Sequence, residues 1–212
     1  MEKQPLDILP EYVLFGSQAS YDNAKVVALP VPYDSTSSYR SGSREGPKAI
    51  INASRFIEPF SYELGFDISK RVPVYTMEEL MPDFGSPERM IERIKKEVSL
   101  IVEDKKVPLL IGGEHTIALG SLQALKEKNA NITVVQFDAH SDTYEELNST
   151  RYSHGSVMVH AKRLFSSVFQ VGIRSIDKRS FDIVDRKTLF FIDDVRREGA
   201  DKVGSKINKA CK

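Results

Sequence analysis

Three segments of the 212-residue sequence hold side chains that could act together chemically. In Gln136-Phe137-Asp138-Ala139-His140-Ser141-Asp142, two carboxylates and an imidazole sit at every second position. The apolar run 132–135 precedes them, so they read as the end of a buried strand. If the extended backbone continues, all three side chains project to the same side. Two acids and a histidine converging there suit a divalent cation, which would offset the cost of grouping the charges. The same pattern also describes a solvated acidic loop, and spacing alone leaves both readings open.

The second segment is Leu109-Leu110-Ile111-Gly112-Gly113-Glu114-His115-Thr116. An apolar strand meets a glycine pair that permits a sharp turn and a close backbone approach. Glu114 and His115 follow where a helix begins, so His115 is either a metal ligand at a strand end or a helix-capping residue. The third is Tyr152-Ser153-His154-Gly155-Ser156. His154 could return over the same site on a loop and move a proton as a histidine outside the metal set. A surface histidine in a polar loop fits equally well. His160 falls on a helical pattern and reads as structural.

These residues need a scaffold, and the rest of the chain supplies its pattern. Strands are predicted at 25–29, 73–75, 107–111, 132–137, 168–171 and 188–192. Several are apolar throughout, as in strands covered on both faces. Ser86-Pro87-Glu88 marks a helix start, and Ile91, Ile94, Val98 and Ile101 give that helix one apolar face. Further helices are predicted from Gly46-Pro47 through Ile50 and Ala53 to Ile57, over 116–125, and over 200–212 with Val203, Ile207 and Cys211 on one face. The alternation implies an α/β fold, a mostly parallel sheet with helices on both faces and functional loops at the carboxyl ends of its strands. Lys+Arg and Asp+Glu are 30 each, so the formal charge is zero, against nonspecific nucleic-acid binding. No run has the roughly 20 apolar residues of a membrane helix, and the first sixteen residues do not read as a secretory leader. One cysteine, Cys211, makes no internal disulfide, and a cytoplasmic protein is expected.

Taken in order, the motifs resemble the ureohydrolase family of arginases and agmatinases. Pro32-Tyr33-Asp34-Ser35-Thr36 with Ser41-Gly42-Ser43-Arg44-Glu45-Gly46-Pro47 is similar to the family's N-terminal segment, most of all to archaeal-type agmatinases. Gly112-Gly113-Glu114-His115 resembles the first metal motif, with Glu at a place usually held by Asp. Asp138-Ala139-His140-Ser141-Asp142 matches the second. Ser153-His154-Gly155 resembles the loop of the active-site histidine, and Val171-Gly172-Ile173-Arg174 a later strand end.

The resemblance implies one ureohydrolase-like domain over 1–212 with a three-layer arginase-like fold. It implies an agmatinase-like hydrolase that converts agmatine to putrescine and urea with a metal-bridged hydroxide, in polyamine biosynthesis. His115, Asp138, His140 and Asp142 would be ligands of a Mn²⁺ pair, with Asp138 bridging, and His154 would be the catalytic proton shuttle. A small guanidino substrate, a homo-oligomer, and no nucleic-acid or membrane partner are further implications. The family's last metal motif, with its D-x-D, is not found in the sequence. The expectation is therefore a chain truncated before that motif, with its second ion and its activity weakened. Other readings from the same residues are a non-catalytic ureohydrolase-like subunit, an arginase or other guanidino hydrolase, and a single-metal hydrolase of related architecture.

Overall fold

A computed structural model describes residues 12–128 and 131–211. Residues 1–11, which hold most of the stretch read for a leader, lie outside the described residues, as does Lys212. The chain divides into two compact units.

Unit 1 comprises residues up to Asp34, Ser41–Pro82 and Ile101–Gly113. Its elements are β1 (Val26–Val31), α1 (Gly46–Ser54), the short strands β2 (Phe60–Ser61) and β3 (Phe66–Asp67), α2 (Ile68–Arg71), β4 (Val74–Thr76) and β5 (Val107–Gly112). β1 is the centre of a three-stranded parallel sheet in the order β4-β1-β5, with Val26 opposite both Val74 and Val107. Leu14, Ala28, Ile51, Val74 and Ile111 form its core. Two expectations are corrected here. α1 ends at Ser54, and it buries Pro47, Ile51 and Ser54 while Ile50 and Ile57 are exposed. β5 is not covered on both faces, since Val107 and Leu109 are exposed.

The Asp34 carboxylate, on a residue only 2% exposed, gathers the chain between β1 and α1. It accepts hydrogen bonds from the backbone N–H of Gly42 (2.6 Å) and Arg44 (3.3 Å) and from Arg44 Nε (2.7 Å). Gly42 has φ +128°, a conformation that favours glycine.

Unit 2 comprises Ser35–Arg40, Asp83–Leu100 and everything from Glu114 on. It holds α3 (Pro87–Glu103) up to Leu100, α4 (Ile117–Lys128), β6 (Thr133–Phe137), α5 (Val157–Leu164), β7 (Ser167–Ile173), α6 (Lys178–Ile183), β8 (Leu189–Phe191), α7 (Ile192–Glu198) and α8 (Ala200–Ala210). The sheet is parallel, order β6-β7-β8. Side chains alternate along β7, so Val168 packs with Leu119, Val157, Met158 and Ala161 of α4 and α5. Phe169 and Val171 face the other way and pack with Phe190 and with Val203 and Ile207 of α8. Helices thus cover both faces of this sheet, as the strand–helix alternation implied. Ser86 caps α3 by accepting from Arg89 N at 3.2 Å, and Met90, Ile91, Ile94 and Val98 are buried. At the other end of the chain α8 stops at Ala210 and Cys211 is exposed, so the expected apolar face keeps only Val203 and Ile207. Ile192, predicted as strand, instead opens α7. Asp194 in its first turn accepts from Phe191 N and pairs with Arg186 and Arg197. No helix among the described residues is long and apolar enough to cross a membrane.

Two predictions follow from this packing. A Cβ at Gly120 would lie 2.6 Å from both Ile91 O and Ile94 Cβ, so α3 and α4 touch through backbone there. Gly120→Ala should destabilise the protein by about 1–3 kcal/mol through overpacking, read as a lower urea midpoint. The Arg44 guanidinium holds the Asp34 carboxyl below its ordinary range, against the opposing effect of burial, and the Gly42 and Arg44 N–H groups help. A depressed folded-state value stabilises above the ordinary carboxylate range and is lost as pH falls through the folded value. Asp34→Asn should cost about 2 kcal/mol at neutral pH. The gap to wild type should narrow below about pH 4 in denaturation curves.

Candidate metal centre

The potential ligands lie at the carboxyl ends of the strands and in the turns that follow them. β6 ends at Phe137, and the chain then bends across the end of β7. Asp138 N–H donates to Val171 O (3.1 Å), Ser141 N–H to Ser175 O (3.0 Å), and the N–H groups of Arg174 and Ser175 to Ala139 O. Gly172, at φ +87°, forms the irregularity in β7 beside this crossing, where a Cβ would lie 3.3 Å from Asp138 O. Asp142 itself has φ +48°, a left-handed conformation that aspartate tolerates better than most residues.

This bend corrects the expectation of a continued strand. Asp138 and Asp142 turn toward His115, which stands in the turn leading into α4. His115 Nδ1 lies 2.5 Å from Asp142 Oδ2 and 3.8 Å from Asp138 Oδ2. Donor atoms of these three residues all come within 4.8 Å of one another. His140 does not join them. Its side chain is 66% exposed, against 10% for Asp142, and its Nδ1 lies 3.5 Å from the other Asp138 oxygen, Oδ1. The four residues therefore do not surround one centre: three do, and His140 stands across Asp138 from them. The donor chemistry, one imidazole and two carboxylates around a single point, fits a divalent cation.

Asp138 is aimed by its neighbours. Gln136 Nε2 donates to Asp138 Oδ2 (3.1 Å) and to His140 O (3.3 Å), and the His140 N–H donates to Asp138 Oδ1 (2.9 Å). Gln136 Oε1 in turn accepts from Gln170 Nε2 at 2.6 Å. Burial pushes the Asp138 carboxyl up, but the His140 N–H, the Gln136 amide, the nearby His115 ring and the Ala139 N–H together bring it below its ordinary value.

His154 opens a short 3-10 turn, His154–Ser156, in which Ser153 N–H donates to Ser156 Oγ (2.9 Å) and Ser156 N–H to Ser153 O (3.0 Å). It lines a cavity of about 680 Å³ together with His115, Asp138, His140 and Asp142. The sequence reading missed further lining residues, among them Ser38, Arg40 and Asp177. Asp177 caps α6 by accepting from the N–H groups of Arg179 and Ser180. Burial pushes its carboxyl up, but the Ser180 hydroxyl and these N–H groups outweigh that and hold it low. An Asp just before a helical stretch was the available signal. It points to a cap, and only the fold brings that cap to the cavity. His160, read as structural, stacks on Tyr152 at 5.0 Å, and its Nε2 contacts Arg151 O at 2.8 Å.

The model of the arginase family matches residues 24–212. The N(1)-aminopropylagmatine ureohydrolase of Thermus thermophilus is 34% identical over 190 residues, 88% of this chain and 64% of that protein. The agmatinase of Bacillus subtilis is 30% identical over 172 residues, 80% of this chain and 59% of that protein. The crystal structure of the agmatine ureohydrolase of Thermoplasma volcanium superposes with a TM-score of 0.84 at 29% identity, over 92% of this chain and 66% of that one. The chain thus spans 59% and 64% of the two curated relatives' lengths.

The centre should bind a divalent cation, and calorimetric titration with Mn²⁺ checks it. His115→Ala or Asp142→Asn should abolish measurable binding. Gln136→Leu keeps every ligand and should weaken binding about 10-fold or more, because the amide only orients Asp138. Unchanged affinity in the Gln136 variant would remove that amide from the account.

Proposed function

The chain belongs to the arginase family, and on that footing we propose that it is a ureohydrolase acting on agmatine, giving putrescine and urea. The observation that carries the reading is the convergence of His115, Asp138 and Asp142 in a cavity that His154 also lines. His115, Asp138 and Asp142 would hold one Mn²⁺. The second Asp138 oxygen, turned toward His140, would serve another. Such ions, when bound, bring water ionisation close to neutral pH and stabilise developing negative charge.

The chain's own residues do the rest. Asp177, a carboxylate of the cavity wall outside the metal set, would offer the negative charge that suits a cationic guanidino group. In the hydrolysis a bond forms between the water oxygen and the guanidino carbon, and the bond from that carbon to the alkyl nitrogen breaks. The two water protons end on the departing amine, which leaves as an ammonium, and the other product is urea. His154 would deliver a proton to that nitrogen as it leaves.

The proposal includes one ureohydrolase-like domain over 1–212, which the family match across both units supports. It also includes a cytoplasmic homo-oligomer with a role in polyamine biosynthesis. The two named relatives differ in substrate, so the test is comparative. Purified protein loaded with Mn²⁺ should release urea from agmatine faster than from arginine or N(1)-aminopropylagmatine. His154→Ala should lower kcat about 100-fold while cation binding persists. Cation binding with no urea from any of the three would replace the enzyme with a binding protein. A preference for N(1)-aminopropylagmatine would change the substrate and keep the chemistry.

A further inference from the structure

We propose that Thr36 is a positioning residue for His154: with Glu114 behind it, its hydroxyl keeps the ring proton on Nδ1 and leaves Nε2 as the basic nitrogen. The inference deepens the ureohydrolase reading and rests on it for the role of His154. All the residues concerned belong to unit 2.

Thr36 Oγ1 is a hub. It lies 2.8 Å from Glu114 Oε1, 3.0 Å from Thr116 Oγ1, 3.0 Å from the backbone nitrogen of His154 and 3.3 Å from His154 Nδ1. A hydroxyl has one hydrogen and two lone pairs. A carboxylate accepts and does not donate, so the Thr36 hydrogen goes to Glu114. The His154 backbone N–H can only donate, and it takes one lone pair of the Thr36 oxygen. Thr36 then has no hydrogen left for the ring, so its contact with Nδ1 is a hydrogen bond only if Nδ1 carries the proton. The Thr116 hydroxyl shares the remaining lone pair. A neutral imidazole protonated at Nδ1 has its free lone pair on Nε2. Ser38 Oγ lies 3.1 Å from Nε2 and therefore acts as donor there.

Glu114 is fixed for this task. Its Oε2 accepts from Thr116 N–H at 2.7 Å, so the side chain loops back over its own turn and presents Oε1 to Thr36. The result is a line from carboxylate to hydroxyl to imidazole. When Nε2 takes up a proton, the positive ring still donates through Nδ1 to an oxygen backed by Glu114. Thr36 also holds the His154 backbone, so one side chain sets both the place and the tautomer of the ring.

The test compares wild type with Thr36→Val, which keeps the shape without the hydroxyl, and Thr36→Ser, which keeps the hydroxyl. In wild type, nitrogen-15 spectra of the neutral His154 ring should show the proton on Nδ1. In Thr36→Val it should move toward Nε2, and exchange of the His154 backbone amide should quicken about 10-fold. Thr36→Ser should restore both. With agmatine, Thr36→Val should lower kcat roughly 10- to 100-fold with KM within about twofold, and Thr36→Ser should recover most of it. A wild-type ring protonated on Nε2 overturns the proposal without any variant. So does a Thr36→Val protein that keeps the Nδ1 proton and the amide protection. Absence of urea release by wild type would strike the ureohydrolase reading alone, and the ring spectra would still decide what Thr36 does.

Discussion

Gln170 lies inside the sheet of unit 2, 1% exposed, directly opposite Gln136 on the neighbouring strand. Two amides side by side in a covered sheet favour mutual partners, because a buried polar group without one costs about 1–3 kcal/mol by protein measures. Gln170 Nε2 donates to Gln136 Oε1 and to Ser141 O, both at 2.6 Å. Gln136 Nε2 then has its hydrogens free for Asp138 Oδ2 and His140 O. The amide pair thereby dictates the path of residues 138–141. Gln170 Oε1 is left without a partner among the described residues, so the pair acts through its donors, which aim Asp138 and hold the His140 and Ser141 carbonyls in the bend after β6.

The same economy of partners governs the acids around the cavity. Asp142 lies in a left-handed conformation and its carbonyl accepts from Met158 N–H at 3.0 Å, which ties the loop to α5. The turn that carries His154 leads directly into α5, so the 138–142 loop and His154 are braced by one helix. α5 is anchored by Val157, Met158 and Ala161 in the apolar layer beneath. A rigid layer under polar loops lets the side chains above hold positions that repulsion between carboxylates would otherwise disperse.

Much of this was legible along the chain. The parallel strands, the Ser86 cap and the buried stripe of α3 are local patterns, set by hydrophobic periodicity and by hydrogen-bonding needs within a few residues. The residue types of the centre were legible too, since carboxylates and imidazoles grouped after an apolar strand suit few roles. The errors came where local pattern competed with packing. α1 buries Ile51 rather than Ile50, because neighbouring side chains rather than spacing decide which of two adjacent isoleucines turns inward. β5 has the apolar content of a covered strand and yet exposes Val107 and Leu109.

The sequence by itself determined the α/β class, the family likeness and the chemical character of His115, Asp138, Asp142 and His154. Tertiary structure decided their geometry. The hold on Gln136 and on the Ser141 carbonyl depends on Gln170, which is distant in the chain from both. That Asp177 and Ser38 line the cavity, and that Thr36 bridges Glu114 and His154, depends on loops from separate parts of the chain meeting at one place. Local propensity acts over a turn or a strand. A hydrogen bond between residues tens of positions apart forms only once the sheet and helices have brought its donor and acceptor together, so its partners are written in the fold.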